Sequence, residues 1–596
     1  MKKPIYSIGI DLGTTNCALA AIRLDDDNAA CALLDIPQMT SATAREARPL
    51  LPSFLYLPTE VECAAGTLSA LTLRKTPGVA GHFARAQSAE VPTRTVAAAK
   101  SWLCHSRVDR HEAILPWNAP AEVPKISPVE ASALYLRHLV EAWNERWPEA
   151  PFREQQVTLT VPASFDASAR ELTREAAALA GFPTDFILLE EPQAALYAWL
   201  ADRGDHWRRD VKVGDRLLVC DIGGGTTDFT LIGVEERDGE LELARLAVGN
   251  HILVGGDNMD LALAFAAQAL FKEKGHELDA WQSVSLWHAC RAAKEALLTP
   301  GGPDRHPVTI LGRGTKLVGG TVSVDLTRDQ VEQVLLDGFL PACALTDGPV
   351  KRPASGFKQL GLPYESDPAI SRHLARFLSE QGGLEHRDIR PSHIVFNGGV
   401  FKAPALKSRL RDILGAWFPE AGAPEALAGK EDLDFAVARG AAYYGRVKEC
   451  GGMRIRGGTA RAYYIGLETA GLAVPGAPRP LQALCVVPRG MEEGTSLKVP
   501  GEEIGLVVGE PVRFRFFSSV QRGDDQPGAV LTAWCEDELE ETDSLEAELP
   551  AAGASEGGYV PVRIETNITE LGVLEIWCAS TMSDERWKLE FSVRDE

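Results

Sequence analysis

The chain has 596 residues, more than one hydrophobic core can serve, so several domains are expected. An apolar fraction of 45% with 24% charged residues is typical of a globular protein in water. The net charge of -22 argues against general binding to nucleic acid or anionic membranes, because both need a basic surface. Scattered cysteines without a C-x-x-C pair, and apolar runs shorter than ~20 residues, indicate a cytoplasmic protein with reduced thiols.

Strands and helices alternate along the first 450 residues, which predicts a mixed α/β unit. A helix is predicted over 127–143 because a Ser-Pro-x-Glu capping box opens the apolar periodicity there. An alanine-rich helix is expected to end at Gly181, since glycine favours the helix C-terminus. Further helices are predicted over 256–275, 281–299 and 327–340. Buried strands are predicted at YSIGIDL, QVTLTVPA, DRLLVCDI and PSHIVFNGG.

The alternation stops before the C-terminal part of the chain. Residues 341–368 are rich in Pro, Gly and Ser and predict a long loop or insertion. Two glycine pairs then enclose a short basic piece and predict a domain boundary. The predicted domains are residues 1–450 and 459–596, joined by a linker at 451–458.

Alternation with period two after this boundary predicts an antiparallel β domain of the sandwich type. The acidic run "CEDELEETDSLEAEL" is interpreted as a solvated turn or sheet edge. Strands of this domain are predicted at 511–519, 529–536, 559–568, 572–580 and 586–593.

Two stretches of the first domain have the same design, "IGIDLGTTNCALA" and "VCDIGGGTTDFTL". Each predicts a strand, a tight glycine turn and a second strand. Glycines let backbone N–H groups approach an anion, and threonine hydroxyls add donors. An Asp at the end of each strand, Asp11 and Asp221, can hold a hydrated Mg²⁺. The duplication predicts two turns that clamp a polyphosphate between two lobes, the layout of the actin-like ATPase fold.

The first domain resembles the DnaK-type (seventy-kilodalton heat-shock) chaperone family over almost all of residues 5–447. "IGIDLGTTN", "VTLTVPASFDASARELTREAAALAGF" with "ILLEEPQAALYAW", "CDIGGGTTDFTL", "LVGGDNMD", "IVFNGGVFKAP" and "LDFAVARGAAYYG" are similar to family motifs, in the same order. More weakly, "YYIGLETAG" and "VRIETNITELGVLEIWCAS" resemble the substrate-binding β-sandwich of the family. The resemblance implies a two-lobed actin-like ATPase domain with a duplicated ribonuclease-H-like core, followed by a β-sandwich domain.

The resemblance also implies roles for individual residues. Lys100 and Glu191 would act in catalysis with Asp221 and Thr226, and Asp11 and Asp221 would face Mg²⁺ through water. Without the family's motif, Lys100 reads as a solvated helix lysine and Glu191 as an acid at a helix N-terminus. ATP or ADP would be bound by Gly13, Thr14, Thr15, Asn16, Gly223, Gly224, Gly225, Thr226, Gly255, Gly256, Arg291, Lys294, Gly398, Gly399, Lys402 and Asp434.

Several positions depart from the family pattern. The acid and the serine of the family's base-binding helix are replaced by Arg291 and Leu298, so the ribose contacts must differ and Arg291 is expected to stack on adenine. Lys402 replaces an arginine of the adenosine loop. The linker has no leucine run, and the chain ends after the last predicted strand, which implies that the family's helical lid is missing and that bound peptide leaves quickly.

The first functional hypothesis is an ATP-hydrolysing chaperone that binds extended polypeptide through a lidless β domain. The resemblance implies unfolded polypeptide as the partner, with a J-domain co-chaperone and a nucleotide-exchange factor, and neither nucleic acid nor a membrane. The alternatives are a small-molecule kinase on the actin-like fold, and a nucleotide-dependent regulatory or assembly protein such as a filament former.

Overall fold

The computed structural model describes residues 3–26, 29–73, 76–105, 108–117, 119–163, 165, 167–237, 239–250, 252–311, 321–350, 362, 364–381, 389–427, 429–430, 432–455, 459, 461–469, 481–492, 494–519, 522, 525–535, 538–541, 545–550, 559–569 and 573–592. Its chain forms two compact units, 1–454 and 455–596. The division falls inside the segment predicted as a linker, while the exact domain ends stay predictions.

The first unit contains two sheets with the same strand pattern. In each sheet a hairpin is flanked by an antiparallel strand on one side and by two parallel strands on the other. The first sheet has the order Ile187–Glu190, Gln156–Val161, Tyr6–Leu12, Asn16–Arg23, Ala32–Leu33, with Leu51–Pro52 also pairing with Asn16–Arg23. The second has the order Glu425–Ala426, His393–Asn397, Arg216–Ile222, Thr227–Arg237, Glu240–Val248. This duplication confirms the predicted actin-like architecture, and we call the parts built on the two sheets the first and second lobes.

Smaller sheets complete the first unit. Four short strands form one of them, and two hairpins form the others. Their strands are Thr95–Ala97, Phe54–Tyr56, Thr76–Ala80 and Leu71–Leu73; Ile36–Met39 and Arg45–Arg48; Arg305–Leu311 and Thr321–Thr327.

The helices of the first unit begin and end close to the sequence signals. Ser127 accepts a hydrogen bond from the backbone N–H of Glu130 and caps the helix that follows. Thr327 and Gln330 form the predicted capping box. The α-helices are Glu60–Ala65, His82–Glu90, Ala99–Trp102, Pro128–Arg146, Ala167–Ala180, Glu191–Arg203, Trp207–Asp210, Gly256–Glu273, Ala280–Leu298, Arg328–Phe339, Ile370–Gln381, Pro404–Trp417 and Ala436–Cys450.

Two crossing helices lie between the sheets. Helix Ala436–Cys450 packs on the first sheet, and helix Glu191–Arg203 packs on it and on strands of the second sheet. The contacts are main chain against main chain: a Cβ on Gly440 would lie 1.7 Å from the Ala194 carbonyl oxygen, and a Cβ on Gly9 would lie 2.1 Å from the Ala438 carbonyl oxygen. Glycine at these positions brings the two sheets close enough to share one cleft.

The second unit is an all-β structure with two main sheets, as the alternating pattern predicts. Side chains from both sheets form one core, including Tyr463, Phe516, Ile564 and Ile576. The first sheet has the order Val530–Leu531, Leu481–Val487, Ala462–Glu468, Phe516–Ser519, Glu540–Glu541. The second contains Thr495–Lys498, Ile504–Val507, Tyr559–Ile568, Val573–Ser580 and Arg586–Ser592, and Pro511–Phe514 pairs separately with Leu545–Glu548.

One predicted strand is largely wrong. A strand is predicted over 529–536, but among the described residues of this stretch, 529–535, only Val530–Leu531 belongs to the ladder. Trp534 leaves the sheet edge and packs edge-to-face on Phe517, at 5.6 Å between ring centroids. Packing on the outer face of the first sheet therefore replaces strand pairing in this stretch. In the predicted loop at 341–368, residues 341–350 have neither helix nor strand, and 351–361 and 363 lie outside the described residues.

Candidate functional site

The two glycine turns face each other across the cleft. A Cβ on Gly224 would lie 2.0 Å from the Thr15 hydroxyl oxygen, and a Cβ on Gly225 would lie 3.0 Å from the Thr14 methyl carbon. Each turn therefore occupies the space that a side chain on the other would need. The expectation that the duplicated turns meet is confirmed.

A cavity of about 390 Å³ lies between the turns. Its walls bring together nearly all residues that the resemblance implied for nucleotide and metal binding. These lining residues are Asp11, Gly13, Thr14, Thr15, Asn16, Lys100, Glu191, Asp221, Gly223, Gly224, Thr226, Gly256, Arg291, Lys294, Gly398, Gly399, Lys402 and Asp434. Gly225 and Gly255 lie behind this wall instead, where close packing explains the glycines: a Cβ on Gly255 would lie 2.6 Å from the Gly224 carbonyl oxygen.

Lys100 points from the first lobe into the cavity. It lies on the short helix Ala99–Trp102, which the chain enters through Ala98 in the left-handed region at φ 54°. Such a backbone conformation is strained for a residue with a Cβ and marks a constrained position. Lys100 is only 5% exposed, so a solvated surface lysine is excluded.

The ammonium group of Lys100 donates a hydrogen bond to Glu191 Oε1. Glu191 is the first residue of the helix that follows strand Ile187–Glu190, so it lies at a helix N-terminus and also faces the cleft. Burial opposes the charged form of Lys100, but Glu191 and Asp11 raise its pKa overall. Burial likewise raises the pKa of Glu191, against the opposing effect of Lys100.

Asp11 and Asp221 end the paired strands of the two lobes. Burial, reinforced by Glu191, raises the pKa of Asp11 to about 7 and that of Asp221 well above its usual range. Asn397 donates a hydrogen bond of 2.8 Å from Nδ2 to Asp221 Oδ2. Three carboxylates thus share one buried ammonium group, and this donor set fits a hydrated divalent cation, which prefers oxygen ligands.

The buried polar atoms support this fit. Among the described residues, Asn397 Oδ1 is buried beside Asp221 without a hydrogen-bond partner in the protein. A buried acceptor of this kind is normally satisfied by water or an ion. The residues at this end of the cavity therefore suit Mg²⁺ with its bound waters.

The rest of the cavity is lined mainly by the second lobe. Arg291 donates to Asp260 Oδ2 at 2.6 Å and to Asp257 Oδ1 at 2.5 Å. Lys294 lies 2.6 Å from Asp260 Oδ1. Sequence reasoning missed these two carboxylates, although both lie in the "GGDNMD" motif, because nothing in the sequence indicates which basic side chain lies beside them.

The loop after strand His393–Asn397 closes this part of the cavity. Gly398 has a φ of +86°, and a Cβ there would lie 2.2 Å from the Ile222 carbonyl oxygen, so only glycine fits. Lys402 forms an ion pair of 2.5 Å with Asp434. The substitution of lysine for the family's arginine is therefore accompanied by a carboxylate that neutralises it.

Comparison with known proteins agrees with this geometry. Residues 67–343 match the family model described as Hsp70 protein. The chain is also 30% identical over 427 residues to a chaperone protein HscA homolog of Acidithiobacillus ferrooxidans, an alignment of 68% of this chain and 59% of that protein. This chain belongs to the Hsp70 family.

Other relatives of this Hsp70-family chain agree with the assignment. A chaperone protein HscA homolog of Azotobacter vinelandii is 29% identical over 430 residues, covering 68% of this chain and 59% of the relative. The chaperone protein DnaK of Stenotrophomonas maltophilia is 24% identical over 305 residues, covering 50% and 45%. The chain thus spans about three fifths of the length of the HscA homologs and less than half of the DnaK protein.

The family assignment agrees with the two described units, an actin-like ATPase fold followed by a β domain. Among the described residues, the helices are all too short or too polar to cross a bilayer.

Proposed function

We propose that this chain is an ATP-dependent chaperone that binds and hydrolyses ATP between its lobes and binds extended polypeptide through its β unit. One observation carries the proposal: two glycine turns from separate lobes line the same cavity as the buried Lys100–Glu191 pair and two carboxylates. The matched family model and the chaperone names of the relatives support it.

The turns supply the phosphate contacts. A Cβ on Gly13 would lie 2.2 Å from the Asn16 carbonyl oxygen, and one on Gly224 would lie 2.0 Å from the Thr15 hydroxyl oxygen, so both turns need glycine to be this tight. In the proposal, backbone N–H groups of these turns and the hydroxyl groups of Thr14, Thr15 and Thr226 bind the phosphates. Because the net charge of the chain is -22, a polyphosphate must be held by such local donors and not by a general positive field. Bound Mg²⁺, held through water by Asp11 and Asp221, would neutralise phosphate charge.

Lys100, Glu191 and Thr226 act on the attacking water. Lys100 orients the water and offsets the charge that develops on the γ-phosphoryl group. Glu191 fixes the ammonium group of Lys100 and adds an acceptor, and the Thr226 hydroxyl provides a second contact. The water oxygen bonds to the γ-phosphorus as the bond to the β–γ bridging oxygen breaks. The proton of the water ends on the released phosphate.

The second unit is the proposed polypeptide-binding unit. Its two sheets and shared core give a rigid frame for loops, and extended polypeptide can add backbone hydrogen bonds to such a frame. We propose unfolded polypeptide as its partner, with a J-domain co-chaperone and a nucleotide-exchange factor acting on the ATPase unit in the cytoplasm.

The test measures phosphate release from Mg·ATP by the full chain, with and without an unfolded polypeptide such as reduced, carboxymethylated lactalbumin. Steady hydrolysis that unfolded polypeptide accelerates supports the proposal. ADP formation that requires an added sugar would instead show a small-molecule kinase, and ATP-dependent sedimentation would show an assembly protein. A polypeptide affinity that is the same with ATP and with ADP would overturn the chaperone cycle and leave the ATPase in place.

A further inference from the structure

A second buried carboxylate directly precedes Glu191 in the chain. Glu190 is the last residue of strand Ile187–Glu190 and the N-cap of the helix that begins at Glu191, and it is 0% exposed. An acid at an N-cap commonly accepts a hydrogen bond from the first turn of its own helix, but the Glu190 side chain makes no such bond. Its carboxylate therefore serves contacts outside the backbone of this helix.

Arginines from both lobes lie beside this carboxylate. Arg170, on helix Ala167–Ala180 of the first lobe, has its Nη2 3.8 Å from Glu190 Oε1. Arg245, on strand Glu240–Val248 of the second lobe, has its Nη1 3.5 Å from Glu190 Oε2. Both arginine side chains are only 10% exposed. Because these distances exceed those of direct hydrogen bonds, the contacts depend on charge more than on the exact geometry of the guanidinium groups.

The next residue connects this cluster to the cleft. Glu191 follows Glu190 directly, and its Oε1 accepts the hydrogen bond from the Lys100 ammonium group. Two adjacent carboxylates thus lie between an arginine of the second lobe and a buried cation of the first. A shift of the strand that carries Arg245 would act on the start of the helix, and so on the partner of Lys100.

The energetics of buried charges indicate what such a cluster does. A buried ion pair gains little net stability, because the desolvation of its charges offsets their attraction. An arrangement that leaves one of the charges unpaired costs far more. The Arg245–Glu190 contact therefore favours one orientation of the second lobe relative to the helix start at the cleft.

We propose that Glu190 is a positioning residue: Arg245 of the second lobe holds it, and through Glu191 it sets the place of the Lys100 ammonium group. The proposal rests on the proposed function, because it takes Lys100 as a group that acts in ATP hydrolysis. A displacement of about 1 Å in a reacting constellation can cost roughly 10²-fold in rate. Loss of the Arg245 contact should therefore slow hydrolysis more than it weakens ATP binding, for which the glycine turns remain.

The experiment compares single-turnover hydrolysis of Mg·ATP and the calorimetric Kd for ATP in the full chain and in Arg245→Gln and Glu190→Gln. Each change removes one charge of the contact and keeps a polar side chain. The hydrolysis rate should fall about tenfold in both variants, with the Kd for ATP within about twofold of the parent value. A rate that falls less than about threefold overturns the proposal, and so does a Kd that rises as much as the rate falls.

The matched control lies at the other end of the same helix. Asp202 pairs with Arg439 there, and the two side chains are 9% and 6% exposed. Asp202→Asn removes a buried charge from the helix, so its urea midpoint should fall as in Glu190→Gln, while its hydrolysis rate should stay within about twofold of the parent rate. An equal loss of rate in Asp202→Asn would show that the rate reports only the stability of the helix, and would overturn the proposal.

Two further variants test the route through Lys100. In a Lys100→Ala background, Arg245→Gln should cause no further loss of rate, because residues that act as a unit have non-additive effects. Arg245→Lys keeps the charge that the contact of 3.5 Å uses and should retain at least about half of the parent rate. An additive loss in the first case, or a loss in Arg245→Lys as large as in Arg245→Gln, overturns the proposal. Absence of hydrolysis by the unaltered chain would overturn the proposed function itself.

Discussion

The two lobes share a sheet pattern but contribute different chemistry to the cleft. The turn of the first lobe has one glycine, and its lobe also supplies the buried ion pair of Lys100 and Glu191. The turn of the second lobe has three glycines and an aspartate bound by Asn397. The duplication thus preserves the sheet and turn geometry while the side chains differ: the first lobe contributes the buried ion pair, and the second contributes Asp221 and the paired Arg291 and Lys294.

The largest expected effect comes from removing the cation of the first lobe, Lys100. In Lys100→Ala, the hydrolysis rate should fall about 10²–10³-fold, because the variant loses a positioned cation that acts on developing charge. ATP affinity should change less than about fivefold, since the turns remain. Single-turnover hydrolysis and calorimetric binding measure the two quantities. If affinity falls as much as the rate, Lys100 serves binding and the contrast between the lobes is wrong.

The next largest effect is expected on stability, at the crossing of helices Glu191–Arg203 and Ala436–Cys450. In Gly440→Ala, the added methyl meets the Ala194 carbonyl at 1.7 Å, so the free energy of unfolding should fall by about 2–4 kcal/mol. Urea denaturation measures this change.

Gly338→Ala is the matched control for this change. Gly338 is also a helical glycine, and a Cβ there would find no heavy atom within 4 Å. This control should gain about 0.5–1 kcal/mol from helix propensity. Similar effects at both glycines would show that the crossing is loose.

The contact between the two turns can be tested by a double-mutant cycle. In Gly224→Ala, the new Cβ meets the Thr15 hydroxyl at 2.0 Å, so ATP should bind about tenfold more weakly because the turns are forced apart. The double variant with Thr15→Ala removes the obstructing hydroxyl and should recover most of this loss. Calorimetric Kd values of the four proteins give the coupling. Additive effects would mean that the turns do not press on each other in solution.

The smallest expected effect concerns the pH dependence of stability. The pKa of Asp11 is about 7 in the fold against 3.8 for an ordinary aspartate, so the nucleotide-free protein should lose stability as pH rises from about 4 to 7. Asp11→Asn removes this loss and should stabilise the protein at pH 8 by about 1–2 kcal/mol, after allowance for solvent in the cleft. The difference should vanish near pH 4.

Denaturation at several pH values measures this effect. Asp25→Asn is the exposed control: Arg23 lowers the pKa of Asp25, so this change should not stabilise the protein at pH 8. An Asp11→Asn variant that is less stable than the parent at pH 8 would contradict the assigned environment.

Local signals in the sequence predicted the secondary structure well where the residues of a helix or strand themselves determine that element. The capped helices and the buried strands next to the glycine turns follow from caps and periodicity. The strand predicted at 529–536 was largely wrong: Trp534 lies beyond the two residues that pair in the ladder and packs edge-to-face on Phe517 instead. Packing between distant elements overrides a period-two pattern in such cases.

The site was predictable only in part, for a similar reason. The repeated turns identified the residues on both sides of the cleft, but the partners of those residues are far away in the sequence. Arg291 pairs with acids 31 and 34 residues earlier on another helix, and Gly440 fits against Ala194 across a helix crossing. A single sequence gives no indication of such pairings, because they depend on how two helices meet.

The ion pair between Lys100 and Glu191 has a consequence for how the site meets its ligand. Glu191 Oε1 takes one of the three N–H donors of the Lys100 ammonium group, so two donors are left for water and phosphate oxygens. The buried carboxylate therefore holds the cation in place before a ligand binds. In the proposed hydrolysis, Lys100 can contact the γ-phosphoryl group without giving up Glu191.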